Sequence, residues 1–176
     1  MMVAEPDGDA AEPLVDVIIE DARWHALGLE DLARRAVLAV LAVLELSPVG
    51  YSLCVMGCDD ARMAALNGAF RGKGRATNVL SWPLDDLAIG PGVAPRRPEP
   101  GPGDDPAALG DIALAYETCT AEALAQGKAA ADHVTHLIVH GVLHLLGYDH
   151  IDDADAAMME ALEVRVLAPL GISDPY

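Results

Sequence analysis

His140-Gly141-Val142-Leu143-His144-Leu145-Leu146-Gly147-Tyr148-Asp149-His150 places three imidazoles around two glycines in an otherwise largely apolar run. On a helix, residues i and i+4 share a face with Cβ atoms about 5–6 Å apart, so His140 and His144 can offer two ring nitrogens to one ion. Gly147 accepts the left-handed conformation that ends a helix, and the reversing chain can return His150 as a third donor. Three neutral nitrogens with a fourth position open form a catalytic zinc geometry. Structural sites are usually closed by four ligands, often cysteine; no cysteine lies in this stretch. Burying several imidazoles without partners would be costly, which favours ligands over core residues. His136, one turn earlier, reads as a packing or supporting residue rather than a ligand. His133 and His25 read as ordinary residues.

Outward from this run, residues 129–146 read as one helix stopped by Gly147. A last helix spans 153–167, capped by acidic residues and ended before Pro169. Upstream, 14–19 and 51–56 are short β-branched or apolar strands, and 78–82 and 110–115 two more. Helices are expected over 29–46, from Asp59-Asp60 to about Phe70, and over 117–126. The second half of the first of these is apolar all round and should lie buried. Four strands and about five helices in this order give an α+β domain. The expectation is a small mixed four-stranded sheet, with the metal site at the C-terminal end of a buried helix. Residues 1–12 read as a flexible acidic tail and 13–172 as the single domain. Residues 84–109 are rich in proline and glycine and form a long loop inside it, and loops of that length are usually functional or disordered.

The 176 residues are 52% hydrophobic, enough for a core and against a wholly disordered chain. The longest purely apolar run, Ala36 to Leu44, is nine residues, against roughly 18 for a membrane span. The N-terminus lacks a basic segment followed by an apolar one, so no secretory signal is read and a cytoplasmic location is expected. Eleven Lys and Arg face 28 Asp and Glu, a net charge of −17. That repels nucleic acid in general. Yet Arg71, Lys73, Arg75, Arg96 and Arg97 cluster within 27 residues and allow a local basic strip. Cys54, Cys58 and Cys119 form no CxxC motif. They read as free thiols, with Cys54 and Cys58 as small buried apolar residues.

The spacing His-x3-His-x2-Gly-x2-His equals that of the metzincin proteases, but Gly141 stands where those carry their general-base Glu. The same ligand geometry with other proton handling points to a different zinc hydrolase. The HGVLHLLGYDH segment resembles the signature of the YbeY family of zinc-dependent endoribonucleases. Leu66-Asn67, Phe70-Arg71-Gly72-Lys73 and Thr77-Asn78-Val79-Leu80-Ser81-Trp82-Pro83 are similar to that family's LNxxFRgk…TDVLSFP, and Leu109-Gly110-Asp111-Ile112 to its LGDI. The resemblance covers roughly residues 14–171. Asn78 stands where the family usually has Asp, and Trp82 where Phe is usual.

The resemblance implies that His140, His144 and His150 bind one Zn2+ and that Arg71 is the catalytic arginine. It implies a single-strand-specific endoribonuclease acting in rRNA processing, including maturation of the 16S rRNA 3′ end, and in ribosome quality control. The implied partners are single-stranded and ribosomal RNA and the small ribosomal subunit with its proteins, with no membrane. Oligomeric state stays open, and Asp111, Asp149 and a substrate 2′-hydroxyl all stay open as the base. Two other readings compete: a non-enzymatic ribosome-assembly factor with structural zinc, and a metzincin-like peptidase lacking its Glu.

Overall fold

The structure is a computed structural model and describes residues 14–71 and 77–176; of Leu14 and residues 69–71 the backbone alone is described. The acidic tail expected at 1–12, and Lys73 and Arg75, lie outside the described residues. Four strands, β1 (Leu14–Ile19), β2 (Tyr51–Cys58), β3 (Val79–Pro83) and β4 (Ala107–Ala115), form one mixed sheet in the order β1-β2-β4-β3. β1 and β4 both run parallel to β2, and β3 runs antiparallel to β4 at the edge. The helices are α1 (Arg23–Leu27), α2 (Leu29–Val43), α3 (Asp60–Arg71), α4 (Tyr116–Ala125), α5 (Ala130–Leu145) and α6 (Asp153–Leu167). This is the α+β architecture expected, with six α-helices among the described residues where the sequence suggested about five.

The two faces of the sheet differ. Leu53, Val55, Ile112 and Leu114 point to one side, where α2 and α5 cover them with Val37, Val40, Leu41, Ile138 and Val142. Burial of this apolar area is the main stabilising term. On the other side α3 seals a smaller cluster of Cys58, Met63, Leu80, Ala113 and Ala115. The rest of that face is open: Cys54, Met56, Arg62, Trp82 and Asp111 line a groove beside Ile18, which is 51% exposed. Cys54 is therefore half-buried on the open face rather than buried as expected, Cys58 is buried as expected, and Cys119 is buried as well.

The second half of α2 is amphipathic by burial rather than enclosed: Val40 and Leu41 are buried, Leu38 and Ala39 half-buried, Ala42 exposed. The helix stops at Val43 rather than 46, because Glu45 adopts a left-handed conformation with φ 55°. Arg97, reaching across from the proline-rich loop, donates to the Leu44 carbonyl at 2.9 Å and the Glu45 carbonyl at 2.7 Å. It thereby satisfies acceptors that a helix end leaves unpaired.

That loop covers 84–106, not 84–109, since β4 begins at Ala107. It is strapped down. Tyr51 Oη donates to the Pro98 carbonyl, Gly92 N–H to the Asp155 carboxylate, and Gly101 and Ala107 N–H both to the Gly50 carbonyl. Gly110 bears φ 140°, and a Cβ there would lie 2.2 Å from the Trp82 carbonyl, so only glycine lets β3 pair with β4 at this point.

Candidate metal centre

α5 is amphipathic in an unusual sense: its core face carries Val134, Ile138, Val142 and Leu145, while His136, His140 and His144 form a stripe one helical turn apart along another face. The helix ends at Leu145. The chain reverses at Gly147, with φ 97°, where a Cβ would sit 2.9 Å from Leu87 and from Pro95 of the loop. This tight turn brings His150 back over the helix end. The ring centroid of His150 lies 5.3 Å from His140 and 5.1 Å from His144. One nitrogen from each of the three lies within 4.8 Å of the others.

Hydrogen bonds orient two of the rings. His144 Nδ1 lies 2.9 Å from the Tyr148 carbonyl, which can only accept, so Nδ1 carries the proton. His140 Nδ1 lies 2.6 Å from Glu163 Oε1 and donates to it in the same way. The two Nε2 atoms then face each other at 3.0 Å. Two lone pairs repel at that distance unless a proton or a metal cation lies between. Tetrahedral zinc with nitrogen bonds of about 2.0–2.1 Å spaces its ligands about 3.4 Å apart, so the donor set fits that ion. Burial, reinforced by the charges of His140 and His150, pulls His144 down to about 4, so it is neutral and able to ligate at pH 7.

Glu163, on α6, was not anticipated from sequence. It is 0% exposed and accepts from His140 Nδ1, from His136 Nε2 at 3.0 Å and from Tyr176 Oη. Burial alone would push its carboxyl up; the hydrogen bonds from His136, His140 and Tyr176 outweigh that and hold it at about 2. The signal was present. Met159, Leu162, Val166 and Leu167 mark the buried stripe of α6, and position 163 lies on it. A charged residue on an apolar stripe is the informative kind of exception. His136 and His140 thus share the Glu163 carboxylate.

The other candidates separate. Asp149 accepts from the His150 backbone N–H at 2.7 Å. The histidine rings bond instead to Glu163 and the Tyr148 carbonyl. Asp111 points to the open face of the sheet, opposite the core face on which α5 packs. Gly141 packs against Ile112, where a Cβ would approach to 3.0 Å. Position 141 therefore faces β4 rather than the histidines, and a side chain there would have to displace Ile112. Arg71 is the last residue of α3, and its side chain lies outside the described residues.

His133 is not an ordinary surface residue. It is 5% exposed, neither ring nitrogen has a hydrogen-bond partner among the described residues, and Nε2 lies 3.7 Å from Glu122. Burial lowers its pKa. Asn78 donates to the same Glu122 at 3.2 Å and accepts from the Val79 N–H at 2.7 Å. Beside His144 runs a groove lined by Pro83, Leu84, Asp85, Asp86, Tyr148 and Asp149.

Comparison with known proteins adds to this geometry. A family model described as Endoribonuclease YbeY matches residues 18–171. A protein named Endoribonuclease YbeY from Cereibacter sphaeroides is 61% identical over 166 residues, covering 94% of this chain and 99% of that one. Its namesake from Dinoroseobacter shibae is 57% identical over 174 residues, covering 97% and 94%. The solution structure of TM1509 from Thermotoga maritima aligns over 92% of this chain and 98% of its own, with a TM-score of 0.53 and 20% identity, a likeness of fold.

Proposed function

This chain belongs to the YbeY endoribonuclease family, and from that premise we propose that it is a zinc-dependent endoribonuclease cutting single-stranded RNA. Its setting is rRNA processing, with maturation of the 16S rRNA 3′ end and ribosome quality control as its tasks. The observation that carries the reading is the convergence of His140, His144 and His150, one ring nitrogen from each within 4.8 Å of the others, at the end of a buried helix. In this reading the three histidines hold one Zn2+ and leave a position open. When bound, the ion supplies Lewis-acid polarisation of a phosphoryl oxygen and lowers the pKa of a water. His140 and His144 turn Nε2 toward the ion because Glu163 and the Tyr148 carbonyl each hold an Nδ1 proton.

Arg71 is the catalytic arginine of this proposal. Its guanidinium is always charged, and its planar fork matches phosphate, so it can meet the charge that grows on phosphoryl oxygens in the transition state. Lys73 and Arg75 follow in the sequence and can track the backbone. Asp85, Asp86 and Asp149 around the groove oppose a polyanion approaching from that side. Weak affinity for free RNA and delivery by the small ribosomal subunit follow from that charge pattern.

The test is zinc content by elemental analysis together with cleavage of a single-stranded RNA by wild type and Arg71→Ala. About one zinc per chain, and cleavage that needs both metal and Arg71, is the expected result. An Arg71→Ala variant that cuts as well as wild type refutes the arginine assignment. Zinc without cleavage on free RNA or on small-subunit particles moves the reading to an assembly factor.

A further inference from the structure

Glu163 is a carboxylate buried completely, and an isolated buried charge is expensive. Among the described residues its ion-pair partners are two histidines, not a lysine or arginine. Those histidines, His136 and His140, stand one turn apart on α5, and the carboxylate reaches both from α6. Its two oxygens divide the work: Oε1 takes His140 Nδ1, while Oε2 takes His136 Nε2 and the Tyr176 hydroxyl. Tyr176 also stacks edge-to-face on His136, with ring centroids 5.9 Å apart. The α6 backbone is fixed at its start by Asp152, whose side chain accepts from the Ala154 N–H.

We propose that Glu163 is the positioning residue of the metal centre, with His136 and Tyr176 clamping its carboxylate so that His140 is locked with its proton on Nδ1 and its Nε2 lone pair turned toward His144. The inference rests on the ligand set proposed above. Its physical basis is that an imidazole has two tautomers, and only the one with a bare Nε2 can ligate from that atom. A carboxylate behind the ring selects that tautomer, fixes the ring plane and raises the donor's basicity. His144 achieves the first two through a backbone carbonyl. His150, exposed and with its backbone N–H held by Asp149, is the least constrained of the three. Glu163 therefore makes His140 the anchor about which the site assembles. Gln at this position keeps the shape but offers one carbonyl oxygen and an NH2 donor, so one of the incoming N–H groups meets another donor.

The experiment measures the zinc Kd of the full chain by competition with a chromophoric chelator, for wild type, His140→Ala, Glu163→Gln and Tyr176→Phe. Folding of each variant is checked by circular dichroism. Long-range 15N NMR of the metal-free wild type reads the His140 tautomer. Expected are zinc binding by wild type, its loss in His140→Ala, and a Kd raised roughly 10–100-fold in folded Glu163→Gln. Tyr176→Phe is expected to show a smaller rise in the same direction, and NMR a proton on His140 Nδ1. Wild type without zinc binding, or His140→Ala with unchanged binding, overturns the ligand set itself. Intact binding by wild type with Glu163→Gln within twofold of it overturns the role of Glu163 alone. Should Glu163→Gln fail to fold, the NMR decides: His140 protonated on Nε2 in the metal-free wild type overturns the proposal.

Discussion

The His144 imidazole titrates near 4 rather than 6.5 because it is buried beside two other histidines. As pH falls below 6.5 the unfolded chain takes up a proton that the folded chain refuses until about 4. Stability from keeping this ring neutral is present in full above 6.5 and drains across that window. Glu163 acts lower: its stabilisation is present above 4.5 and is lost as pH falls toward 2. The thermal midpoint of the metal-free protein, followed by circular dichroism, is predicted to fall steadily from pH 6.5 to 4. A midpoint flat over that range would contradict the burial of a neutral His144. The same residue carries a second expectation. His144→Ala removes one of three donors, so elemental analysis should find the variant essentially free of zinc while wild type retains it. Unchanged metal content would break the ligand set.

Asn78 belongs to this scale too, because one atom distinguishes it from the family's usual Asp. Its amide nitrogen donates to Glu122, whose other oxygen has no partner among the described residues. An Asp would set two carboxylates at hydrogen-bond distance, and like charges so close raise each other's pKa. Asn78→Asp is predicted to cost about 1–2 kcal/mol at pH 7 and much less at pH 4, where the pair can share a proton. Urea melts at the two pH values measure this. An equal cost at both would mean that backbone capping by Asn78 Oδ1, not charge, is what matters.

At the scale of elements, most of the sheet and every helix of ten or more residues was legible, because periodicity and punctuation are local. Strand β1 came from its β-branched run, α6 from its acidic cap, and the end of α5 from Gly147. The misses have non-local causes. α1 is five residues between Asp21 and Gly28, too short for a periodic signal, and it is held by burial of Trp24 and its indole bond to the Cys58 carbonyl. α2 ends early because an arginine more than fifty residues away caps it. β4 starts early because Gly50 captures the Ala107 N–H. Within the site, the three histidines were readable from spacing alone. Glu163 was readable only as a charge on the apolar stripe of α6, since nothing local says that α6 turns that face toward α5. The loop offers a test of the long-range caps: Arg97→Ala removes two charge-assisted hydrogen bonds from the end of α2. It should lower stability by about 1 kcal/mol, with faster amide exchange at the end of α2 and across 96–100. Wild-type exchange rates there would mean the strap is held by Tyr51 and Asp155 without it.

For the whole molecule, charge decides how substrate is met. A net charge of −17 over 176 residues leaves a field that opposes RNA everywhere except near concentrated basic residues. Acidic side chains line the groove beside His144, and the only dense basic run is Arg71-Gly72-Lys73-Gly74-Arg75. Each phosphate neutralised on a single strand releases counterions and contributes about −0.7 to the slope of log K against log salt. Three basic residues therefore predict a slope of about −2 for single-stranded RNA. Fluorescence anisotropy of a labelled RNA, titrated with the full chain over a range of salt concentrations, reads this directly. A slope near zero would mean that binding bypasses the phosphates and rests on base or protein contacts. A slope several-fold steeper would require most of the chain's eleven Lys and Arg to meet phosphates, not the 71–75 run alone. A slope of about −2 with weak affinity places the burden of specificity on the particle that presents the RNA, and predicts that cleavage of small-subunit particles outpaces that of free RNA of the same sequence.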